Sequence, residues 1–263
     1  MANDNNLIRE DLAEADVSLW NEALVAVDVL RLHTSPLFYG WGVPRGEGSG
    51  VVLIPGFLLP DSYLRVMHGW LRRIGYSPYF SGIRMNADCP NILIEHRLRE
   101  TIERAREETG GKIHLIGHSL GGVMARAVAS QRPEDIASVT TLASPFRGTV
   151  AHRSVLMAAK AVRCGIRWKQ GPAVLPDCYT GRCTCNFLDS LRRDLAESVY
   201  QTAIYTRTDG VVDWHYCIAT DPGVNFEVSG THIGLALNPM VYSIISTRLR
   251  ESASRRALRT AGT

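Results

Sequence analysis

The sequence predicts an α/β fold in which a mostly parallel sheet of about six strands carries helices on both faces. Short apolar runs, such as residues 51–54 and 113–116, are typical of strands that are buried on both sides of a sheet. Segments with helical spacing separate these runs, which is the pattern of crossover connections between parallel strands. A chain of 263 residues with 45% hydrophobic and 21% charged residues can bury such a core in one domain.

The N-terminal region, residues 1–50, precedes the first clear strand. Apolar residues, among them Trp20 and Leu24, recur with helical spacing and predict a helix over residues 12–32. We expect its wide apolar face to pack on the main domain, and contact with a lipid surface is the alternative. Residues 34–50 are rich in Gly and Pro and indicate a loop.

The main domain is expected over residues 51–250. Its predicted strands cover residues 51–54, 76–80, 138–142, 199–205 and 224–228. One further strand is predicted to begin at residue 113. Its predicted helices cover residues 62–74, 91–108, 120–131 and 238–250. The strand pattern stops between residues 150 and 198, and a long insertion of this kind predicts a cap or lid. Residues 251–263 are basic and are expected to form a flexible tail.

The sequence Gly117-His118-Ser119-Leu120-Gly121 follows the apolar run at residue 113 and precedes good helix formers. This context predicts a sharp turn between strand and helix that exposes the serine, because glycine has no Cβ to clash with the adjoining elements. Ser119 is therefore the predicted nucleophile. The Leu120 N–H at the start of the new helix is a predicted oxyanion donor, and the Phe57 N–H, after the strand at 51–54, is its predicted partner.

A serine nucleophile needs a base and a group that orients this base. Asp209 follows the strand at 199–205, and His232 follows the last strand, so both belong at the same edge of a parallel sheet as Ser119. Asp213 is the alternative acid, but it lies farther from its strand and is expected to serve as a cap or surface group. His118 is the alternative base, but its place beside Ser119 on the turn is expected to point it away.

These motifs together support a resemblance. Residues 116–122 (IGHSLGG), 208–212 (TDGVV) and 230–234 (GTHIG) resemble the α/β-hydrolase superfamily, in particular its compact bacterial lipases and esterases. Residues 143–149 (ASPFRGT) are similar to the Ser-Pro-His-x-Gly-Thr segment of those lipases. The resemblance implies a catalytic triad of Ser119, Asp209 and His232.

Two departures from the family pattern leave the oxyanion loop and the substrate preference open. The usual His-Gly after the first strand is Pro55-Gly56 in this sequence, and Phe146 replaces the histidine of the lipase segment. Neither departure removes a residue of the triad. The N-terminal region and the cysteine-bearing part of the insertion lie outside the resemblance.

The expected function is hydrolysis of carboxylic esters through an acyl-enzyme on Ser119. An acyltransferase or thioesterase that uses the same acyl-enzyme is the first alternative, and a catalytically silent binding module is the second. Apolar residues near the predicted site favour a small-molecule ester with an apolar acyl group, and the candidate substrate contacts are Leu58, His118 and Phe146. This chemistry needs no metal ion and no organic cofactor.

Charge and cysteines bear on partners and compartment. A formal net charge of +3, without a basic stripe, does not indicate nucleic acid binding. The polar N-terminus lacks the features of a signal peptide, so a cytoplasmic protein is expected. Six cysteines, three of them within residues 178–185, leave free thiols, disulfides and a metal site as alternatives. The sequence does not predict an oligomeric state.

Overall fold

A six-stranded parallel sheet forms the centre of the protein. The computed structural model describes residues 9–175 and 177–261. The strands are β1 (Arg9–Glu14), β2 (Gly50–Ile54), β3 (Ser77–Phe80), β4 (Ile113–His118), β5 (Ile136–Leu142), β6 (Gly148–Ala151), β7 (Tyr200–Tyr205) and β8 (Asn225–Glu227). The central sheet has the order β3-β2-β4-β5-β7-β8, and every neighbouring pair in it is parallel. The predicted fold class is confirmed.

Helices cover both faces of this sheet. They are α1 (Val25–Thr34), α2 (Arg65–Arg73), α3 (Pro90–Leu93), α4 (Arg99–Thr109), α5 (Leu120–Gln131), α6 (Arg153–Gln170), α7 (Asn186–Leu191) and α8 (Pro239–Ala261). A π-helical turn, Ile94–Leu98, joins α3 to α4, so the predicted charged helix over 91–108 is nearly continuous. Among the described residues, no helix is long and apolar enough to cross a membrane.

Successive side chains of β2 point to opposite faces of the sheet, and each face packs against its own hydrophobic core. Val52 and Ile54 contact the cluster that includes α4 and α5, whereas Val51 and Leu53 contact the cluster that includes α2 and α8. All four side chains are fully buried, as the uninterrupted apolar run predicted. Burial of each such side chain contributes about 1.5–3 kcal/mol to folding.

The N-terminal region differs from the predicted single helix over residues 12–32. Its chain forms strand β1, then the 3-10 helix Leu19–Leu24, and becomes α-helical only from Val25. β1 pairs in parallel with β6 in a separate two-stranded sheet, so strand pairing overrides the helical periodicity there. The apolar residues that suggested the helix remain largely exposed, with Trp20 at 86% and Leu24 at 61%.

The C-terminal region differs from the predicted flexible tail at residues 251–263. Helix α8 continues to Ala261, and residues 262–263 lie outside the described residues. Two contacts hold this extension against the sheet. Glu251 accepts hydrogen bonds from Tyr200 and Arg248, and the buried Ser252 hydroxyl donates to the Ala137 carbonyl.

The order of the strands places a crevice at one edge of the sheet. The chain leaves β2 toward β3 on one side and leaves β4 toward β5 on the other side. At such a switch point the loops after the two strands diverge, and ligands of α/β proteins bind in the opening at their carboxyl ends. Phe57 and Ser119 follow β2 and β4, so both lie at this opening.

Candidate active site

Ser119 occupies a strained turn between β4 and α5. Its backbone has φ 53° and ψ −125°, a conformation that residues with a side chain rarely adopt. Its N–H donates to the Leu142 carbonyl at 2.8 Å, which fixes the turn against the neighbouring strand. The serine is only partly buried and lines an open pocket.

Glycines make this turn possible because the backbone passes very close to other elements. A Cβ on Gly117 would overlap the Gly121 carbonyl, and a Cβ on Gly121 would overlap the Ile54 carbonyl of β2. A Cβ on Gly122 would overlap the Ser144 hydroxyl. The Gly-x-Ser-x-Gly-Gly sequence is therefore required by the packing of strand, turn and helix.

The loop after β2 lies beside the turn. The Leu58 N–H donates to the Asn86 carbonyl at 2.9 Å, and the Asn86 side chain donates to the Pro55 carbonyl at 2.8 Å. Within the part of the chain that the structure describes, the Phe57 N–H has no acceptor. The Leu120 N–H is the first of α5 and has no acceptor within the helix. Both predicted oxyanion donors thus have their N–H groups available near Ser119.

Asp209 and His232 form a buried pair. His232 Nδ1 lies 2.7 Å from Asp209 Oδ2, and each residue is only 3% exposed. The other oxygen of Asp209 accepts hydrogen bonds from the N–H groups of Val211 and Val212, both at 2.8 Å. Asp209 is thereby held so that it accepts from Nδ1–H, which leaves His232 Nε2 as the nitrogen able to take a proton.

Hydrogen bonds between the two loops that carry Asp209 and His232 hold these residues in position relative to each other. The hydroxyls of Thr206 and Thr208, in the Asp209 loop, both donate to the Gly230 carbonyl in the His232 loop. Their distances are 3.1 and 2.7 Å. In the described structure no hydrogen bond joins Ser119 Oγ to His232, and catalytic hydrogen bonds of unliganded enzymes are often long.

His118 is buried in the protein and does not line the pocket beside Ser119. Its side chain is 1% exposed, and its Nε2–H donates to the His232 carbonyl at 2.9 Å. Burial, followed by the nearby His232, lowers the pKa of His118 to about 3. This placement agrees with the expectation that His118 points away from the nucleophile. The prediction that His118 contacts the substrate is wrong, because protein encloses its ring.

Asp213 has a different role from Asp209. It precedes the 3-10 helix Trp214–Tyr216, and its carboxylate accepts from the His215 N–H at 3.0 Å. The same oxygen lies 2.6 Å from His215 Nδ1. This residue is a cap, as the sequence predicted.

The pocket beside Ser119 has mainly apolar walls. It encloses about 1080 Å³, including the part that is open to solvent. The insertion between residues 150 and 198 forms much of its wall. Apolar side chains that line the pocket include Phe57, Val123, Phe146, Val155, Leu156 and Leu188.

Phe146, which replaces the histidine of the lipase segment, is a wall residue. It is 3% exposed, and the Arg126 guanidinium lies 4.8 Å from the centre of its ring. Leu58, which has a positive φ of 60°, is 41% exposed and is not among the described residues that line the pocket. The placement of Leu58 therefore contradicts its prediction as a substrate contact.

All six cysteines are free thiols in the structure. Four of them, Cys89, Cys178, Cys183 and Cys185, line the pocket, and the sulfur atoms of Cys89 and Cys178 are 3.3 Å apart. Among the described residues, no group of three or more His, Cys, Asp or Glu side chains is arranged to hold a metal ion.

Two residues near the site were missed by sequence reasoning. Glu22 accepts hydrogen bonds from the backbone of the Asp209 and His232 loops. The Tyr63 hydroxyl donates to the Ile233 carbonyl at 2.6 Å, and burial raises the pKa of Tyr63. Neither residue belongs to a motif, and each meets the site only through contacts that are distant in sequence.

Comparison with known proteins identifies the fold. A family whose description is "alpha/beta hydrolase fold" matches residues 84–162. A metagenome-derived lipolytic enzyme of known structure is 16% identical, with 81% of this chain and 96% of that chain covered and a TM-score of 0.52. Lipase B of Aspergillus fumigatus is 18% identical, with 77% of this chain and 53% of that chain covered and a TM-score of 0.55. The protein has the α/β-hydrolase fold.

Curated relatives match a shorter part of the chain. A triacylglycerol lipase of Pseudarthrobacter phenanthrenivorans is 33% identical over 108 residues, which cover 38% of this chain and 34% of that protein. A triacylglycerol lipase of Pseudomonas fragi is 35% identical over 92 residues, which cover 29% of this chain and 31% of that protein. The chain thus spans about a third of the length of these relatives.

Proposed function

We propose that the protein is a serine hydrolase that cleaves carboxylic esters. The observation that carries this proposal is the buried hydrogen bond between His232 and Asp209, at the edge of the sheet where Ser119 stands on its strained turn. The α/β-hydrolase fold and the triacylglycerol lipases among the relatives support the same activity.

In the proposed reaction, Ser119 Oγ attacks the ester carbonyl while its proton passes to His232 Nε2. The Phe57 and Leu120 N–H groups stabilise the negative charge that develops on the carbonyl oxygen. The C–O bond to the alcohol then breaks, and His232 returns the proton to the leaving alcohol. A water molecule, deprotonated by His232, hydrolyses the acyl-enzyme and releases the acid.

The shape of the pocket favours an apolar acyl group. Phe57, Phe146 and Leu156 form walls beside Ser119, and these walls offer the acyl chain dispersion contacts and exclusion from water. We propose a small-molecule ester of an apolar acid as the substrate.

Hydrolysis of chromogenic esters with increasing acyl chain length tests the proposal, with Ser119→Ala as the blank. Turnover that requires Ser119 supports an esterase or lipase, and the preferred chain length measures the depth of the pocket. If no ester is hydrolysed but a fluorophosphonate probe still labels Ser119, hydrolysis is refuted and an acyltransferase or thioesterase reaction takes its place.

A further inference from the structure

One carboxylate from the N-terminal region contacts the backbone of both loops that carry the proposed acid and base. Glu22 lies in the 3-10 helix Leu19–Leu24 and is partly buried. Its Oε1 accepts from the Gly210 N–H at 3.1 Å and from the His232 N–H at 2.9 Å. Its Oε2 accepts from the Ile233 N–H at 2.9 Å.

The three N–H groups bound by Glu22 belong to the two loops that carry Asp209 and His232. Gly210 directly follows Asp209 in the sequence, and the second N–H group belongs to His232 itself. Glu22 therefore fixes the backbone on both sides of the hydrogen bond between Asp209 and His232. Three hydrogen bonds to one ionised carboxylate are stronger than three neutral ones, and they restrict where both loops can move.

Close packing brings the N-terminal region to this place. A Cβ on Gly210 would lie 2.5 Å from the Ser18 carbonyl oxygen and 3.0 Å from Glu22 Oε1. The Asn21 side chain donates to the Thr208 carbonyl at 3.2 Å. The glycine after Asp209 is thus needed for the approach of the 3-10 helix, independently of its freedom to form a turn.

A second acidic residue of the same region lies beneath the His232 loop. Asp28, in α1, is 2% exposed, and its carboxylate lies beside Gly230 and Gly234. A Cβ on Gly234 would overlap this carboxylate. The N-terminal region therefore supports the His232 loop at two separate points.

We propose that Glu22 is a positioning residue for the catalytic triad. It holds the Asp209 and His232 loops together, and its negative charge stabilises the imidazolium that forms when His232 accepts the proton of Ser119. This inference rests on the proposed function, because it assigns Glu22 a role in the same proton transfer.

Other titratable groups also face His232, and a test must separate Glu22 from them. They are Asp209 at 2.7 Å, the His118 ring with its centre 4.9 Å away, and the Tyr63 and Asp28 side chains packed on the His232 loop. Burial lowers the pKa of His118, and burial raises the pKa values of Tyr63 and Asp28. All four side chains stay in the chain when Glu22 alone is substituted, but loss of its charge also lowers the pKa values of Tyr63 and Asp28, because Glu22 contributes to raising both.

The experiment compares Glu22→Gln and Glu22→Ala with the wild type and with Asp16→Asn. Asp16 is an exposed carboxylate of the same region, so Asp16→Asn controls for the change in net charge. The rate of ester hydrolysis, and the rate at which a fluorophosphonate labels Ser119, are measured from pH 5 to 9 at temperatures well below each Tm.

We expect kcat/KM to fall about tenfold in Glu22→Gln and about a hundredfold in Glu22→Ala, the scale of one or two lost charge-assisted hydrogen bonds. In Glu22→Gln the acid limb of the profile should move to lower pH, because the imidazolium of His232 loses a stabilising charge. Asp16→Asn should match the wild type in both respects.

Two results would overturn the inference. One is a wild-type rate in Glu22→Gln and Glu22→Ala. The other is a reduced rate in Glu22→Gln with the acid limb of the pH profile unmoved, which would show a purely structural role for Glu22. This second result depends on Glu22→Gln alone, so it holds even if Glu22→Ala does not fold. A wild type that neither hydrolyses esters nor reacts with the probe refutes the proposed function itself and the inference with it, whereas an active wild type with unaffected variants refutes the inference alone.

Discussion

His232 Nδ1 lies 2.7 Å from Asp209 Oδ2, and the opposite oxygen of Asp209 is held by two backbone N–H groups. This arrangement fixes both the position of the carboxylate and the nitrogen that carries the proton on the imidazole. Asp213 differs in its surroundings: its carboxylate caps a short helix, and its histidine neighbour, His215 at 2.6 Å, is exposed to solvent and follows it by two residues.

We therefore predict that Asp209→Asn lowers kcat by about 10³–10⁴-fold, because an amide there favours the wrong tautomer of His232. Asp213→Asn is the matched control and should change kcat by no more than about twofold. Steady-state kinetics on a chromogenic ester gives both values. A larger loss in Asp213→Asn than in Asp209→Asn would reverse the assignment of the acid.

The turn at Ser119 predicts a strong intolerance of added bulk. Gly121→Ala should destabilise the fold by about 1–3 kcal/mol or more, since its Cβ would overlap the Ile54 carbonyl and the backbone cannot easily move. Gly165→Ala, in helix α6, is the control; no atom lies within 4 Å of its added Cβ, so it should stabilise the protein by about 0.5–1 kcal/mol. Urea unfolding measures both changes. Equal stability of the two variants would contradict the packing described for the turn.

The sequence predicted this turn well and the N-terminal region poorly, and the reason is physical. The glycines around Ser119 act on neighbours within a few residues, so their spacing is a local signal. Glu22 meets Gly210 and His232 across 188 and 210 positions, and no spacing in the sequence encodes those contacts. The helical pattern of residues 12–32 correctly indicated α1 from Val25, but it failed at residues 12–14, because the pairing of β1 with β6 is also a long-range event.

His118 predicts a pH dependence of folding. Its pKa is about 3 in the folded protein and about 6.5 in an unfolded chain, so the unfolded state binds more protons between these values. The stabilisation is therefore fully present above about pH 6.5 and is lost as the pH falls toward 3. His118→Gln should reduce the slope of unfolding free energy against pH in this window, as measured by urea titrations at several pH values. An unchanged slope would show that His118 titrates normally. Asp28 and Asp61, whose pKa values are raised by burial, act with the opposite sign and are common to both proteins.

The thiols predict an order of reactivity. Cys164 is exposed, whereas Cys217 is buried and its pKa is raised well above the usual value by that burial. A thiol reagent such as DTNB should modify Cys164 first in the native protein, and Cys164→Ser should abolish this fast phase. After unfolding without reductant, six thiols should react. A count of four or fewer in freshly purified protein would mean that disulfides form in solution.

We expect the pocket wall at Leu156 to limit the length of the acyl chain that the protein accepts. Leu156 lines the pocket with Ser119, whereas its neighbour Met157 is 61% exposed and does not belong to the described lining. Leu156→Trp should lower kcat/KM for long acyl chains by about tenfold or more and leave short chains within about twofold, because the larger ring occupies the space of the distal methylene groups. Met157→Trp is the matched control on the same helix and should preserve the wild-type chain-length profile. If both variants change that profile equally, helix α6 acts on the substrate by some route other than the wall, and the acyl group lies elsewhere in the crevice.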